Sequence, residues 1–352
     1  MRKIYLSTLL GLCSLVALAG NPDRQGEAGA YELLLNPFAR SAGLASMTTA
    51  NVAGAEALRI NVAGLGRVSG TEVTISNMQY LTGTDINMNA LGIAAPIGNG
   101  QTFGLTLAAL SFGDIQQTTV NSPEGTGSSF SPTFFHIGVG YSKTFEQRIS
   151  VGAALRFISE SIFNASATGF AIDAGVQYVS GPADEFKLGI SLRNVGLGMR
   201  FSGDGIAEQF PEPIANDYQL TANQRVADFE LPFQLNIGTS YDIDLGVDST
   251  NQITIVANYS SNAFSRDNLG AGLEYSFQDL FMIRGGYNWE VGVSPDDDLA
   301  PLMQGLAVGA SAAIPVSKYR DNGTRRAIIV DYAYRPTNIY DGNHNVSLRL
   351  SL

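Results

Sequence analysis

Residues 133–157 (TFFHIGVGYSKTFEQRISVGAALRF) constrain the fold more than any other stretch. Phe135, Ile137, Val139 and Tyr141 alternate with His136, Gly138, Gly140 and Ser142. After a short polar break, Ile149, Val151, Ala153, Leu155 and Phe157 alternate with Ser150, Gly152, Ala154 and Arg156. A strand turns successive side chains to opposite faces. Each run therefore has one bulky apolar face and one face of small or polar groups. A soluble sandwich buries its large residues and shows long charged ones to water. Here the opposite arrangement fits, with large residues toward lipid and small or polar ones toward a lumen.

The same unit recurs from residue 71 onward. Strands are expected at 71–80, 86–97, 101–112, 133–143, 148–159, 168–179, 185–195, 231–241, 251–260, 268–277, 280–291, 303–316, 325–335 and 343–352. That is 14 strands, an even number, as a single-chain bacterial barrel needs. Many reach the ~9–11 residues of a tilted spanning strand. The connections alternate in length. Residues 98–100, 144–147, 180–184 and 278–279 make short even connections, while 113–132, 196–230 and 292–302 are the longest and odd. Outer-membrane barrels pair short periplasmic turns with longer extracellular loops. The even connections 242–250 and 317–324 are longer than that rule wants. Tyrosine and tryptophan near strand ends, such as Tyr141, Tyr241, Trp289 and Tyr332, suit a membrane–water boundary. The expected fold class is all-β: a transmembrane antiparallel β-barrel of about 14 strands with an N-terminal hatch or plug.

Composition agrees. Only 15% of residues are charged, and 39 are glycine, which argues against both a solvated soluble protein and a helical one. The formal net charge of −11 disfavours nucleic acid, whose phosphates want a basic patch. Residues 1–19 read as a secretory signal peptide, with Arg2 and Lys3, an apolar core, and Ala17-Leu18-Ala19 as the cleavage site. Cys13, the one cysteine, lies inside it. Residues 20–70 form a polar leader followed by an Ala-, Gly- and Leu-rich stretch without sustained period-2 alternation. Short helical turns suit that stretch, and a lumen plug is its expected place. Residues 71–352 are the barrel.

Catalytic groupings are not found. There is no G-x-S-x-G elbow and no Ser/His/Asp set of workable spacing. His136 and His344 give too few nitrogen ligands for a transition-metal site. Asp296-Asp297-Asp298 fits a solvated loop tip better than a calcium ligand set. No cofactor is implied. Asp204, Glu208, Glu212 and Asp217 lie in a long acidic loop, a candidate partner-binding surface. Arg156, Asp173, Lys187, Arg193, Glu274 and Arg284 fall on the lumen face, where opposite charges pair or hold a plug.

The N-terminal stretch AGAYELLLNPFARSAGLASMTTANVAGAEALRINVAGLG resembles the signature of the PorV/PorQ family. The matching residues are Ala28-Gly29, Leu33-Leu34, Ala39-Arg40, Gly43 and the box Asn61 to Leu65, which has Val62 where the family usually has proline. Arg40, Asn61, Gly64 and Leu65 are the plug-motif residues on this reading. The final hairpin, with Asp331-Tyr332-Ala333-Tyr334 and His344, is similar too. The resemblance implies a barrel similar to FadL in the outer membrane and membership in the type IX secretion system. It also implies partners: outer-membrane lipid, translocon or attachment-complex proteins, and cargo carrying a C-terminal signal. It implies no enzyme activity. A FadL-like transporter of hydrophobic small molecules is the alternative.

Overall fold

The computed structural model describes residues 20–211, 219–246, 251–293, 302–316 and 327–352. Residues 1–19, read from the sequence as a signal peptide, Asp296-Asp297-Asp298 and the 317–324 connection lie outside them. Fourteen strands form a closed barrel, and every neighbouring pair is antiparallel. They are β1 (Glu72–Gln79), β2 (Asn87–Gly98), β3 (Gln101–Ser111), β4 (Thr133–Phe145), β5 (Ile149–Ile162), β6 (Ala165–Ser180) and β7 (Phe186–Gly196). The second half is β8 (Gln234–Asp244), β9 (Gln252–Asn262), β10 (Asn268–Phe277), β11 (Phe281–Glu290), β12 (Leu306–Pro315), β13 (Ala327–Arg335) and β14 (Asn343–Ser351). The first strand closes on the last, with Glu72 opposite Ser351 and Gln79 opposite His344. Closure satisfies the ladder of every strand, the condition for crossing hydrocarbon with β-structure. Among the described residues no helix is long and apolar enough to cross a membrane.

Burial follows the alternation but is inverted relative to a soluble protein. Leu155, Ile172, Leu273 and Ile283 are 53, 57, 55 and 62% exposed, although such side chains are normally buried. Their strand neighbours Arg156, Asp173 and Arg284 are buried. The apolar band is therefore outside and the polar face inside. Tyr241, Tyr287, Trp289 and Tyr332 are also exposed on the outer surface.

Strand bounds depart from the sequence expectation by three residues at the β5–β6 connection, at both ends of β8 (Gln234–Asp244 against 231–241) and at the start of β12 (Leu306 against 303). The 160–167 connection is largely strand. β5 and β6 stay paired up to Ile162 opposite Ala165, joined by Phe163 and Asn164 alone. The extra residues are mostly small or polar, because this ribbon end sits above the apolar band and lacks its signal. β8 starts at Gln234 rather than near 231, since Pro232 has no N–H to give to a ladder. The long odd connections are not plain loops. Ile115–Gln116 pairs with Ser129–Phe130, and Ala207–Pro211 pairs with Gln219–Asn223.

Candidate functional site

Residues 31–67 lie inside the barrel. They form short helical pieces: Tyr31–Leu34, Ala39–Ala42, Ala57–Ile60 and Val62–Arg67. The path starts at the long-loop end and sweeps around the inner wall. The Pro37 carbonyl accepts from Ser76 on β1 (2.6 Å) and from Asn345 on β14 (2.8 Å). Gly43 packs on Arg284 and Gly309 of β11 and β12. Thr49 packs on Gly189 of β7. The chain then crosses back to β1, where Glu72 accepts from the Ala55 N–H at 2.9 Å. It ends at the short-turn end, with Arg67 donating to the carbonyls of Gln147 and Arg148.

Glycine on the wall makes this approach possible. A Cβ on Gly189 would lie 2.2 Å from the Thr49 carbonyl oxygen, and one on Gly152 would lie 2.6 Å from the Val62 carbonyl carbon. The contacting atoms are backbone, which cannot swing aside. The small face of the alternating strands thus matches a second layer of chain packed against it.

The four motif residues all lie in this inner segment. Asn61 holds three contacts at once: it donates to the carbonyls of Thr49 (2.9 Å) and Val176 (3.2 Å) and accepts from the Ala63 N–H (3.2 Å). It thereby caps the turn Val62–Arg67, which needs no proline at Val62. Gly64 faces the Val52 carbonyl, 2.4 Å from where its Cβ would stand. Leu65 is fully buried beside Leu58 and Val62. Arg40 reaches between Glu56 (3.9 Å) and Glu274 (3.8 Å).

Two ionic clusters join wall to inner segment. In the first, Arg284 bonds Glu274 at 2.7 Å and Ser311 at 2.6 Å, and Asp331 lies 3.7 Å from Arg284 and 3.3 Å from Arg349. Ser41 donates to Glu56 at 3.0 Å. Burial pushes the Glu56 carboxyl up, and the Arg40 guanidinium is the largest opposing charge. In the second cluster, Arg156 bonds Asp173 at 2.5 Å and the Leu58 carbonyl at 2.9 Å. Arg59 donates to the carbonyls of Leu35 (2.5 Å) and Glu32 (3.2 Å), and His136 lies 3.0 Å from the Glu32 carboxyl. Burial pushes that carboxyl up to about 7. Lys187 pairs with Asp242 and Arg193 donates to the Leu33 carbonyl.

All six lumen charges read from strand parity face inward and have partners. Glu72, Asp331 and Arg349 share that parity within the expected strands and belong to the same set, so the alternation carried their signal too. Glu32, Glu56 and Arg59 come from the irregular segment, where no period identifies a face. Among the described residues no group of His, Cys, Asp or Glu could hold a metal ion.

At the long-loop end the acidic loop is folded. Its two arms are bridged by paired backbone bonds between Met199 and Phe229 (2.8 and 2.9 Å) and by the exposed pair Arg200–Asp228. Asp204 opens a helical turn, Asp204–Ile206, and is exposed. Glu208 is exposed and accepts from Gln224 at 3.0 Å. Glu212 and Asp217 lie outside the described residues. The structure therefore brings the four plug-motif residues into one inner segment and sets Asp204 and Glu208 at the rim, far along the chain from them.

Solved structures share this fold at low identity. The Ralstonia pickettii toluene transporter TbuX is similar with a TM-score of 0.53 and 13% identity, over 90% of this chain and 98% of that one. The CymD monoaromatic hydrocarbon channel is similar with a TM-score of 0.50 and 13% identity, over 90% and 97%. No curated protein matches the sequence. The family model described as type IX secretion system membrane protein PorP/SprF matches residues 62–332. With a barrel of this kind and a family match spanning most of its wall, the chain belongs to the PorP/SprF family of type IX secretion system membrane proteins.

Proposed function

We propose that this chain is a non-enzymatic outer-membrane component of the type IX secretion system whose long-loop rim docks other proteins. Its partners are secreted cargo with a C-terminal signal, or the translocon and attachment-complex subunits that handle such cargo. The observation that carries this reading is the inner segment. Residues 31–67 run from one end of the lumen to the other and are tied to the wall by hydrogen bonds: the Ala55 N–H to Glu72, Arg67 to the Gln147 carbonyl and Arg156 to the Leu58 carbonyl. The exposed chemistry then lies at the rim, in the 112–132 and 197–233 connections with Asp204 and Glu208. An acidic rim suits a basic patch on a partner and gives salt-sensitive association. The PorV/PorQ-like residues Ala39-Arg40 and Asn61 to Leu65 support a cargo-shuttling role within the same system.

The test is deletion of the gene, with secretion and surface attachment of C-terminal-signal proteins as readout, together with affinity capture from detergent extracts. Deletion is expected to abolish secretion, and capture of the wild-type protein is expected to bring down secretion subunits. Unchanged secretion and an empty capture would refute the reading. The competing reading is a channel for hydrophobic small molecules. The buried charges Glu56, Glu274 and Asp331, with the half-buried Arg40, line the interior and oppose passage of an apolar solute. Uptake of labelled toluene into liposomes containing the purified protein would favour the channel.

A further inference from the structure

The leader, residues 20–30, is folded onto the long-loop end. The Gly20 nitrogen donates to Asp267 Oδ2 at 2.8 Å. Asp267 lies in the β9–β10 connection and is 4% exposed. Its carboxylate also accepts from the Tyr259 hydroxyl (2.6 Å) and from the Asn262 N–H (3.1 Å), so it is held in place from its own strand end. Gly20 fits closely: a Cβ there would stand 2.6 Å from Asp267 Oδ1 and 2.8 Å from the Asp267 backbone nitrogen. Further along, Arg24 lies 4.3 Å over the Phe264 ring and pairs with Glu230 at 2.9 Å. The Gly29 N–H donates to the Glu230 carbonyl at 3.0 Å.

The donor is the nitrogen directly after Ala19, the last residue of the A-x-A site. Within an uncut chain that nitrogen is a neutral amide. Hydrolysis of the Ala19–Gly20 bond adds water, leaves a carboxyl on Ala19 and frees an amine on Gly20. An α-amino group has an ordinary pKa of about 7.7–8.0 and takes up a proton at neutral pH. A neutral hydrogen bond thus becomes a charge-assisted one to a buried carboxylate, roughly twice as strong.

We propose that Asp267 is a binding site for the chain's own processed N-terminus, the α-ammonium of Gly20, and that signal cleavage thereby latches the leader onto the rim. The latch ties residues 20–30 to the β9–β10 connection and to Glu230 of the β7–β8 connection, which belongs to the surface assigned above to partner docking. Processing then fixes the shape that a partner meets. The inference rests on cleavage after Ala19 and does not depend on who the partner is.

The experiment uses full-length protein, expressed with its own signal segment and purified from membranes in detergent. Intact mass gives the processed N-terminus, and amine acetylation at pH 7.5 followed by peptide mass spectrometry gives the reactivity of that amine. Processing at Gly20 is expected, with the amine acetylating at least tenfold more slowly than in the same protein unfolded by heat. Asp267→Asn should abolish the protection. So should an alanine inserted between Ala19 and Gly20, which keeps Asp267 but moves the amine one residue away. Both variants should retain the folded-barrel band on unheated gels. A processed chain starting elsewhere would overturn the proposal. So would an amine in the wild-type barrel as reactive as in the unfolded chain, and the wild-type measurement decides this even if a variant fails to fold.

Discussion

Gly189→Ala is the sharpest test of the wall against which the inner segment packs. The new Cβ would lie 2.2 Å from the Thr49 carbonyl oxygen, 2.6 Å from its carbon and 2.7 Å from Ala50 Cα, where ordinary contact begins at 3.4 Å. The inner segment must therefore retreat by about 1 Å from β7. The Thr49 carbonyl accepts from Asn61 at 2.9 Å and from Gln177 at 3.2 Å, so a retreat of that size breaks or badly stretches both bonds. Overpacking costs about 1–3 kcal/mol, and each lost hydrogen bond adds about 1 kcal/mol. Local detachment becomes easier by roughly 2–5 kcal/mol, and even the lower figure is a factor of about thirty in the opening equilibrium. The assay is maleimide labelling of Ala50→Cys, a position 3% exposed. With Cys13, the one native cysteine, replaced by serine, the introduced thiol is the one cysteine of the chain. Labelling should accelerate about thirtyfold or more in the Gly189→Ala background. Gly285→Ala is the control, because a Cβ there meets nothing closer than 3.7 Å. Equal labelling rates in all three proteins would refute the packing argument.

Four further outcomes are expected. Arg156→Met leaves Asp173 buried without its cation and should cost about 3–5 kcal/mol, read from urea unfolding in detergent, with Asp173→Asn in the same chain recovering part of it. Arg40→Ala removes the cation between Glu56 and Glu274. Burial already raises the Glu56 pKa, and its charged form should then destabilise the fold above the ordinary carboxyl value near 4.5. Melting of this variant should therefore fall below wild type at neutral pH and recover as pH drops through the raised pKa. Leu155→Arg puts a charge on the outer band and should lower folding into vesicles by up to about 2–4 kcal/mol, as a midplane site does. Asp204→Asn with Glu208→Gln should leave the melting temperature unchanged, since both groups are exposed, and should weaken partner capture and its salt dependence.

Much of the wall was legible because its signal is local. A strand's parity is written every second residue, so alternation over ten residues identifies the lipid face and the lumen face without knowledge of neighbours. His136, Arg156 and Asp173 were placed on the lumen face in this way, and they are buried there. The same logic fails at strand ends. Residues 160–167 pair above the membrane band, where no apolar face is needed. In the 113–132 and 196–230 loops, the ribbons depend on backbone pairing between short segments that carry no period.

What the sequence determined by itself was the class of object: an even-stranded barrel, apolar outside and small or charged inside. Alternation and connection length suffice for that, because both are properties of short stretches. The tertiary structure decided what meets what inside. Ser76 reaches Ser347, 271 positions away, because closure brings the first strand beside the last. Arg40 reaches Glu274 because the inner segment runs past β10, and Gly20 reaches Asp267 across 247 positions because the leader folds back onto the β9–β10 connection. Such pairs depend on strand register, shear and the path of an irregular chain through the lumen. Those are fixed only when the ring closes, and no period in the sequence reports them.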